Sequence, residues 1–178
     1  LVDILVIQPL ASVWSEYSPL HQDGYAAESA YDRPFDELSK ALMAAKLDFH
    51  YGNETIMAGH GTVEDGKLQV GEHEYGCVIV PPCSNMRSST VALLRDYRAA
   101  GGKLAFISSV PSLVDGKDSQ VEIPGAVVLP RVEDALNWAD RLYTERISVI
   151  DRLTGANARS VYVHSRSVGD STRHLLAN

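Results

Sequence analysis

Apolar residues in this chain fall into short continuous runs, and the polar stretches between them carry apolar positions at helical spacing. That is the pattern of parallel strands buried on both faces and joined by crossover helices. Residues 75–112, YGCVIVPPCSNMRSSTVALLRDYRAAGGKLAFISSVPS, organise the rest. The run 77–80 is apolar, rich in β-branched residues and stopped by Pro81-Pro82, which predicts a buried strand. Ser88 or Ser89 is placed to cap a helix whose stripe is Leu93, Leu94, Tyr97 and Ala100, and Gly101-Gly102 ends it. A second apolar strand follows over 103–108. A crossover of this length makes a βαβ unit with parallel strands and a right-handed connection.

The same reading extends in both directions. Residues 2–7 predict a first, central strand. The next clear helix begins only about 25 residues later, a long connection of the kind that is usually functional or packed on something. This loop carries Trp14, Glu16, Tyr17, His21, Tyr25 and Tyr31. Asp32 is placed to cap the second helix, with Pro34 in its first turn and Phe35, Leu38, Leu42 and Ala45 as its buried stripe. Residues 47–51 alternate as a strand, 53–58 predict a short helical turn, and 62–70 predict a hairpin on Asp65-Gly66. Residues 109–124 read as a polar connection, 126–129 as a strand and 131–144 as a helix. At the end, 160–166 and 173–177 predict a hairpin about Gly169-Asp170. The expectation is an α/β fold, a doubly wound parallel sheet over 1–150, with 151–178 opening a following β-rich module. No internal repeat or low-complexity segment interrupts the pattern.

Composition changes this picture little. The chain has 178 residues, 45% hydrophobic and 22% charged, as expected of one globular domain. A net charge of -7 excludes an extended nucleic-acid surface, and no apolar run is long enough to span a bilayer. The opening LVDILVIQP starts inside a strand without a basic region ahead of it, so it is no signal peptide and reads as a piece excised from a longer protein. Cys77 and Cys83 are too far apart along an extended strand to bridge, and two unpaired thiols suit a reducing, cytoplasmic compartment.

Ligands of doubly wound sheets bind beyond the carboxyl ends of the strands. Cys83 stands there, but Pro81-Pro82-Cys83-Ser84-Asn85 lacks the small residues of a nucleophile elbow and reads as a small buried thiol. Ser108 ends its strand without a following histidine and carboxylate to serve it, and the default is a serine bonded to its own loop. A reactive centre at either residue requires a strained backbone, a nearby histidine and two aimed N–H donors. Glu72-His73-Glu74 lacks metal-ligand spacing and predicts a solvated turn, and no glycine-rich loop is placed to hold a phosphate, so neither a metal nor a nucleotide cofactor is expected. The segment around Trp14, Glu16 and Tyr17 is the richest in binding groups. Its indole, phenol and carboxylate suit either a sugar ring or a domain interface.

The order of ILVIQPLASVWSEYSP, PFDELSKALMAAKLDFHYG, VEDGKLQVGEHEYGCVIVPPC, LLRDYRAAGGKLAFIS and VYVHSRSVGD…HLLAN resembles the class I glutamine amidotransferase-like domain of large bacterial glycoside hydrolases. These include α-L-rhamnosidase-like enzymes, and the β-galactosidase trimerisation domain is similar. The resemblance covers nearly the whole chain. It implies a flavodoxin-like fold between a catalytic (β/α)8 barrel and β-sandwich modules of the same protein, carbohydrate as the parent's substrate, and possible self-association. Active relatives carry a cysteine at the elbow, where this chain has Ser108 in FISSVPS, without the glycines around it or the His-x-Glu after it. The resemblance therefore implies a non-catalytic descendant with a scaffold or interface role. The alternative is a self-contained hydrolase or amidotransferase-like enzyme using Cys83 or Ser108.

Overall fold

The computed structural model describes residues 2–16, 30–143, 147–169 and 171–177. The chain runs β1 (Ile4–Ile7), α1 (Leu10–Glu16), α2 (Asp32–Ala44), β2 (Phe49–Gly52), α3 (Glu54–His60), β3 (Gly61–Glu64), β4 (Lys67–Val70), β5 (His73–Tyr75) and β6 (Cys77–Val80). It continues through β7 (Asn85–Met86), α4 (Ser88–Ala99), β8 (Lys103–Ile107), β9 (Leu113–Val114), β10 (Lys117–Asp118), β11 (Val127–Leu129) and α5 (Val132–Asp140). It ends in β12 (Tyr162–Val168) and β13 (Ser171–Ala177).

Five strands form one parallel sheet in the order β2-β1-β6-β8-β11. Numbered along the chain this is the flavodoxin-like order, with its switch point between β1 and β6. The continuous apolar runs are explained by burial on both faces. Leu5, Ile7, Val78, Val80, Leu104 and Phe106 meet Val91, Leu94 and Tyr97 of α4 in one core. Ile4, Val6, Cys77, Ile79 and Ile107 meet Leu38 and Leu42 of α2 and Ala135 and Ala139 of α5 in the other. The fold is therefore the doubly wound α/β architecture expected from the pattern, in the flavodoxin-like order that the resemblance implies, with the C-terminal antiparallel hairpin β12–β13 beside it.

The hairpin on Asp65-Gly66 forms with both turn residues at positive φ, 49° and 75°. β5 adds a third strand to it, so of the expected turn Glu72 lies in one and His73-Glu74 already belong to the strand that follows. Other boundaries also differ. The long connection after β1 begins with the helix α1, too short to show periodicity in the sequence; Tyr17, His21 and Tyr25 lie outside the described residues. Helix α2 begins at Asp32 with Tyr31 in the N-cap position, so Asp32 favours the first turn by its charge and is not the cap residue. Helix α4 has Arg87 as its N-cap, and Ser88 and Ser89 lie inside its first turn. Asp115, 27 residues on, accepts the Ser88 N–H at 3.1 Å in place of a local cap. The polar connection after β8 contains the small hairpin β9–β10 on Asp115-Gly116. Helix α5 ends at Asp140; residues 144–146 and Asp170 of the last turn lie outside the described residues.

The terminal segment is fastened to the α2–β2 connection by polar groups. Lys46 sits at φ 62° where α2 ends, and Leu47 N–H reaches back to the Leu42 carbonyl, as in a Schellman cap. Its ammonium donates to the carbonyls of Ala44 and Ala158, both at 2.8 Å. Burial holds the Lys46 amine below its ordinary pKa. Two residues on, the Asp48 carboxylate accepts the Ser165 N–H at 3.0 Å and lies 3.4 Å from His164 Nδ1. Removing that carboxylate takes away a charge-assisted hydrogen bond and leaves the parallel sheet intact. Asp48→Ala is therefore expected to speed hydrogen exchange of the amides in β12 about tenfold, with those of β1 and β6 unchanged. Equal acceleration in both places would show that the ribbon and the sheet open as one unit.

Candidate functional site

The carboxyl ends of β1 and β6 meet at the switch point, where an open α/β sheet binds its ligands. Here that crest is filled. Ile7, Gln8, Pro9, Glu54, Val80, Pro81, Cys83, Asn85 and Met86 surround a crevice with no room for a water molecule. Next to it stands a residue to which the sequence assigned no role of its own. Ser12 of α1 is fully buried, and its hydroxyl accepts the backbone N–H groups of Ser84 and Asn85, both at 3.0 Å, while donating to the Asn85 carbonyl at 3.1 Å. Two N–H groups side by side after a central strand are what an oxyanion would need. In this chain a serine hydroxyl already occupies them.

Cys83 lies beside this arrangement, 7% exposed. Burial first, and the Glu54 carboxylate second, push its thiol up to about 12. Cys77 is fully buried in β6, and burial together with Asp3 pushes it to the same value. Thiolates carry the nucleophilicity of cysteine, so both groups are chemically quiet near neutral pH. Ser108 is different. It is exposed, its φ is 72°, and the Ser109 N–H bonds back to the Ile107 carbonyl at 3.0 Å, which makes a γ-turn in its strained, positive-φ form. Among the described residues no histidine bonds its hydroxyl. The strained backbone is present, and among the described residues no relay accompanies it.

Glu54 is the other residue the sequence left unnoticed. It opens α3 after its cap Asn53, is 5% exposed, and accepts the Arg87 N–H at the start of α4 at 2.8 Å. Burial raises its pKa, and outweighs the opposing pull of the Arg87 N–H and of the nearby Thr90 hydroxyl. The Thr90 hydroxyl acts on that charge from outside hydrogen-bonding geometry, and it has no hydrogen-bond partner among the described residues. Glu54 therefore ties the β2 side of the crest to α4 at an electrostatic cost.

The α1 segment carries the remaining expected residues. Trp14 is 76% exposed, and Glu16 is exposed at the helix end. Glu16 Oε1 accepts from the Tyr31 hydroxyl at 2.5 Å, and that hydroxyl is 2.8 Å from Ser84 Oγ. A phenol has one proton, so Ser84 donates to Tyr31 and Tyr31 donates to Glu16. Burial, then the bond to Glu16, hold the Tyr31 pKa up, so it stays protonated and bridges the two. The structure thus joins Glu16 to the loop after β6 and leaves Trp14 facing outward; Tyr17 lies outside the described residues. Among the described residues, no three His, Cys, Asp or Glu side chains are grouped to hold a metal ion, and no helix is long and apolar enough to cross a membrane.

No protein-family model matches the sequence, and no curated protein is detectably similar to it. In fold, the chain is similar to the apo crystal structure of the exo-carrageenase GH42 from Bacteroides ovatus, with TM-score 0.55 and 9% identity. The similarity covers 92% of this chain and 19% of that one, so the chain spans about a fifth of the length of that protein. The fold is thus one found within a glycoside hydrolase.

Two outcomes follow from the crest. The folded pKa of Glu54 lies above the ordinary 4.5, so between the two values the folded state binds more protons than the unfolded. Its contribution to stability is greatest below that ordinary value and declines as pH rises through the folded pKa. Glu54→Gln keeps an acceptor for Arg87 and removes the buried charge. It should leave stability at pH 7 unchanged or higher, by up to about 1 kcal/mol, and steepen the acid limb of a denaturation series, because the variant no longer gains stability from this group as pH falls. Glu54→Ala, which orphans the Arg87 N–H, should cost about 1–3 kcal/mol in urea titrations. For the thiols, a chromogenic disulfide reagent at pH 8 should find neither Cys77 nor Cys83 until denaturant is added.

Proposed function

We propose that this chain is a non-catalytic scaffold and interface domain of a large bacterial glycoside hydrolase, of the amidotransferase-like type found in α-L-rhamnosidase-like and β-galactosidase-like enzymes. Its partners are the catalytic barrel and the β-sandwich modules of the same protein, with residues 151–178 beginning the latter, and a second copy of the parent in self-association. The α1 segment, with Trp14 exposed and Glu16 tied to Tyr31, faces the barrel or lines its sugar site. The fold shared with part of a GH42 enzyme supports the context. The observation that carries the non-catalytic role is the buried Ser12 hydroxyl seated on the Ser84 and Asn85 N–H groups, beside a thiol that burial keeps protonated.

In the full-length protein, Trp14→Ala should lower glycosidase activity or thermal stability, by an amount in the about 2 kcal/mol range of an interface anchor. This chain alone should release no product from nitrophenyl glycosides or glutamine. Unchanged activity and stability in the full-length variant would remove the interface role of α1, and turnover by the chain alone would remove the non-catalytic reading.

A second reading, a self-contained hydrolase, is favoured by one observation, the strained and exposed Ser108 at the end of β8. On that reading the chain alone hydrolyses an ester or amide, and Ser108→Ala abolishes it.

A further inference from the structure

The terminal ribbon carries a charge arrangement that the fold itself does not use. In the β12–β13 register Arg166 stands directly opposite Arg173, with His164 opposite Leu175, Tyr162 opposite Ala177 and Val168 opposite Ser171. By strand alternation these residues share one face. Like charges directly opposed across a strand pair destabilise it. Among the described residues neither guanidinium has a carboxylate in ion-pairing range, and residues 162–169 and 171–177 contain no Asp or Glu at all. This stands out in a chain of net charge -7. The face is open: β13 is exposed along its length, and the His164 side chain is 62% exposed. Val163 and Ser165, on the opposite face of β12, are half-buried, and on the open face His164 reaches the Asp48 carboxylate of the body at 3.4 Å.

We propose that this face of the ribbon binds a polysaccharide bearing carboxylate or sulfate groups, with Arg166 and Arg173 as the paired anion contacts and Tyr162 as a platform for a sugar ring. This rests on the glycoside-hydrolase reading above and adds to it the class of glycan. Guanidinium groups match planar carboxylates and sulfates through paired N–H donors, and a bound anion removes the repulsion between the two arginines. A glycan fits better than a protein partner. The ribbon is two strands wide, and its apolar side chains are separated by His164, Arg166 and Arg173, so it offers no continuous apolar centre of the kind protein interfaces bury. A neutral sugar would leave the arginine pair uncompensated.

The test is affinity electrophoresis of the full 178-residue chain in gels containing polygalacturonate, dextran sulfate or neutral dextran. Retardation by one or both charged polymers and none by neutral dextran is expected, weakened at least about tenfold in apparent affinity by Arg166→Gln/Arg173→Gln. Hydrogen exchange over β12 and β13 in that variant should match or fall below the wild type, because the opposed charges are gone. No retardation by either charged polymer, or equal retardation of the double variant, would overturn the proposal. So would equal retardation by single-stranded DNA of matched charge, which would show simple polyanion attraction. Because the readout is binding by this chain, a negative result leaves the scaffold reading standing, and a failure of the Trp14 test leaves this one standing.

Discussion

Burial of the central strands on both faces is the constraint from which the rest follows. β1, β6 and, beyond Lys103, β8 have no solvent side, so each buried residue of these runs must be apolar, and helices must cover both surfaces. Parallel pairing then sends every chain connection across a helix or a long loop, and it gathers the carboxyl ends at one crest. What differs between proteins of this architecture is how the crest is finished. Here it is closed with polar groups that satisfy one another: Ser12 on the loop after β6, Glu54 on the start of α4, Tyr31 between Glu16 and Ser84. Each of these bonds joins elements far apart in sequence, so the crest is held by long-range contacts and would not survive loss of the sheet beneath it.

The same contacts explain what could be read beforehand. The apolar runs at 4–7, 77–80 and 103–107 declare buried strands by themselves, and Asp65-Gly66 declares its hairpin, because those signals are local. Asp115-Gly116 carries the same turn signal, yet its flanking strands are two residues each, too short to show alternation. Ser12 was not legible at all: nothing near it in sequence says that its hydroxyl meets N–H groups more than seventy residues away. Glu54 looks like any acidic residue in a first helical turn, and only its burial makes it unusual. Helix α4 shows the reverse error, since two serines sit where a cap is wanted, and the bond comes instead from Asp115. The position of Ser108 at a strand end was readable, whereas its positive φ depends on the γ-turn that the Ser109 N–H closes.

Ser12 and Cys83 together separate architecture from chemistry. A frame that could present a nucleophile and two N–H donors has both components in place, but the donors face a neutral hydroxyl and the thiol faces a carboxylate. A fold alone carries no activity, and the sign of the charges around its crest decides what it can do.

The fastening at Lys46 and Asp48 has a mechanical meaning. It is made of three hydrogen bonds, from Lys46 to the Ala158 carbonyl, from the Asn157 amide to the Ala44 carbonyl and from the Ser165 N–H to Asp48, with the ribbon's β13 wholly outside the core. Both charged groups are largely withdrawn from water, so salt screens these contacts little. One short segment, residues 44–48, thereby fixes where the ribbon meets the sheet domain.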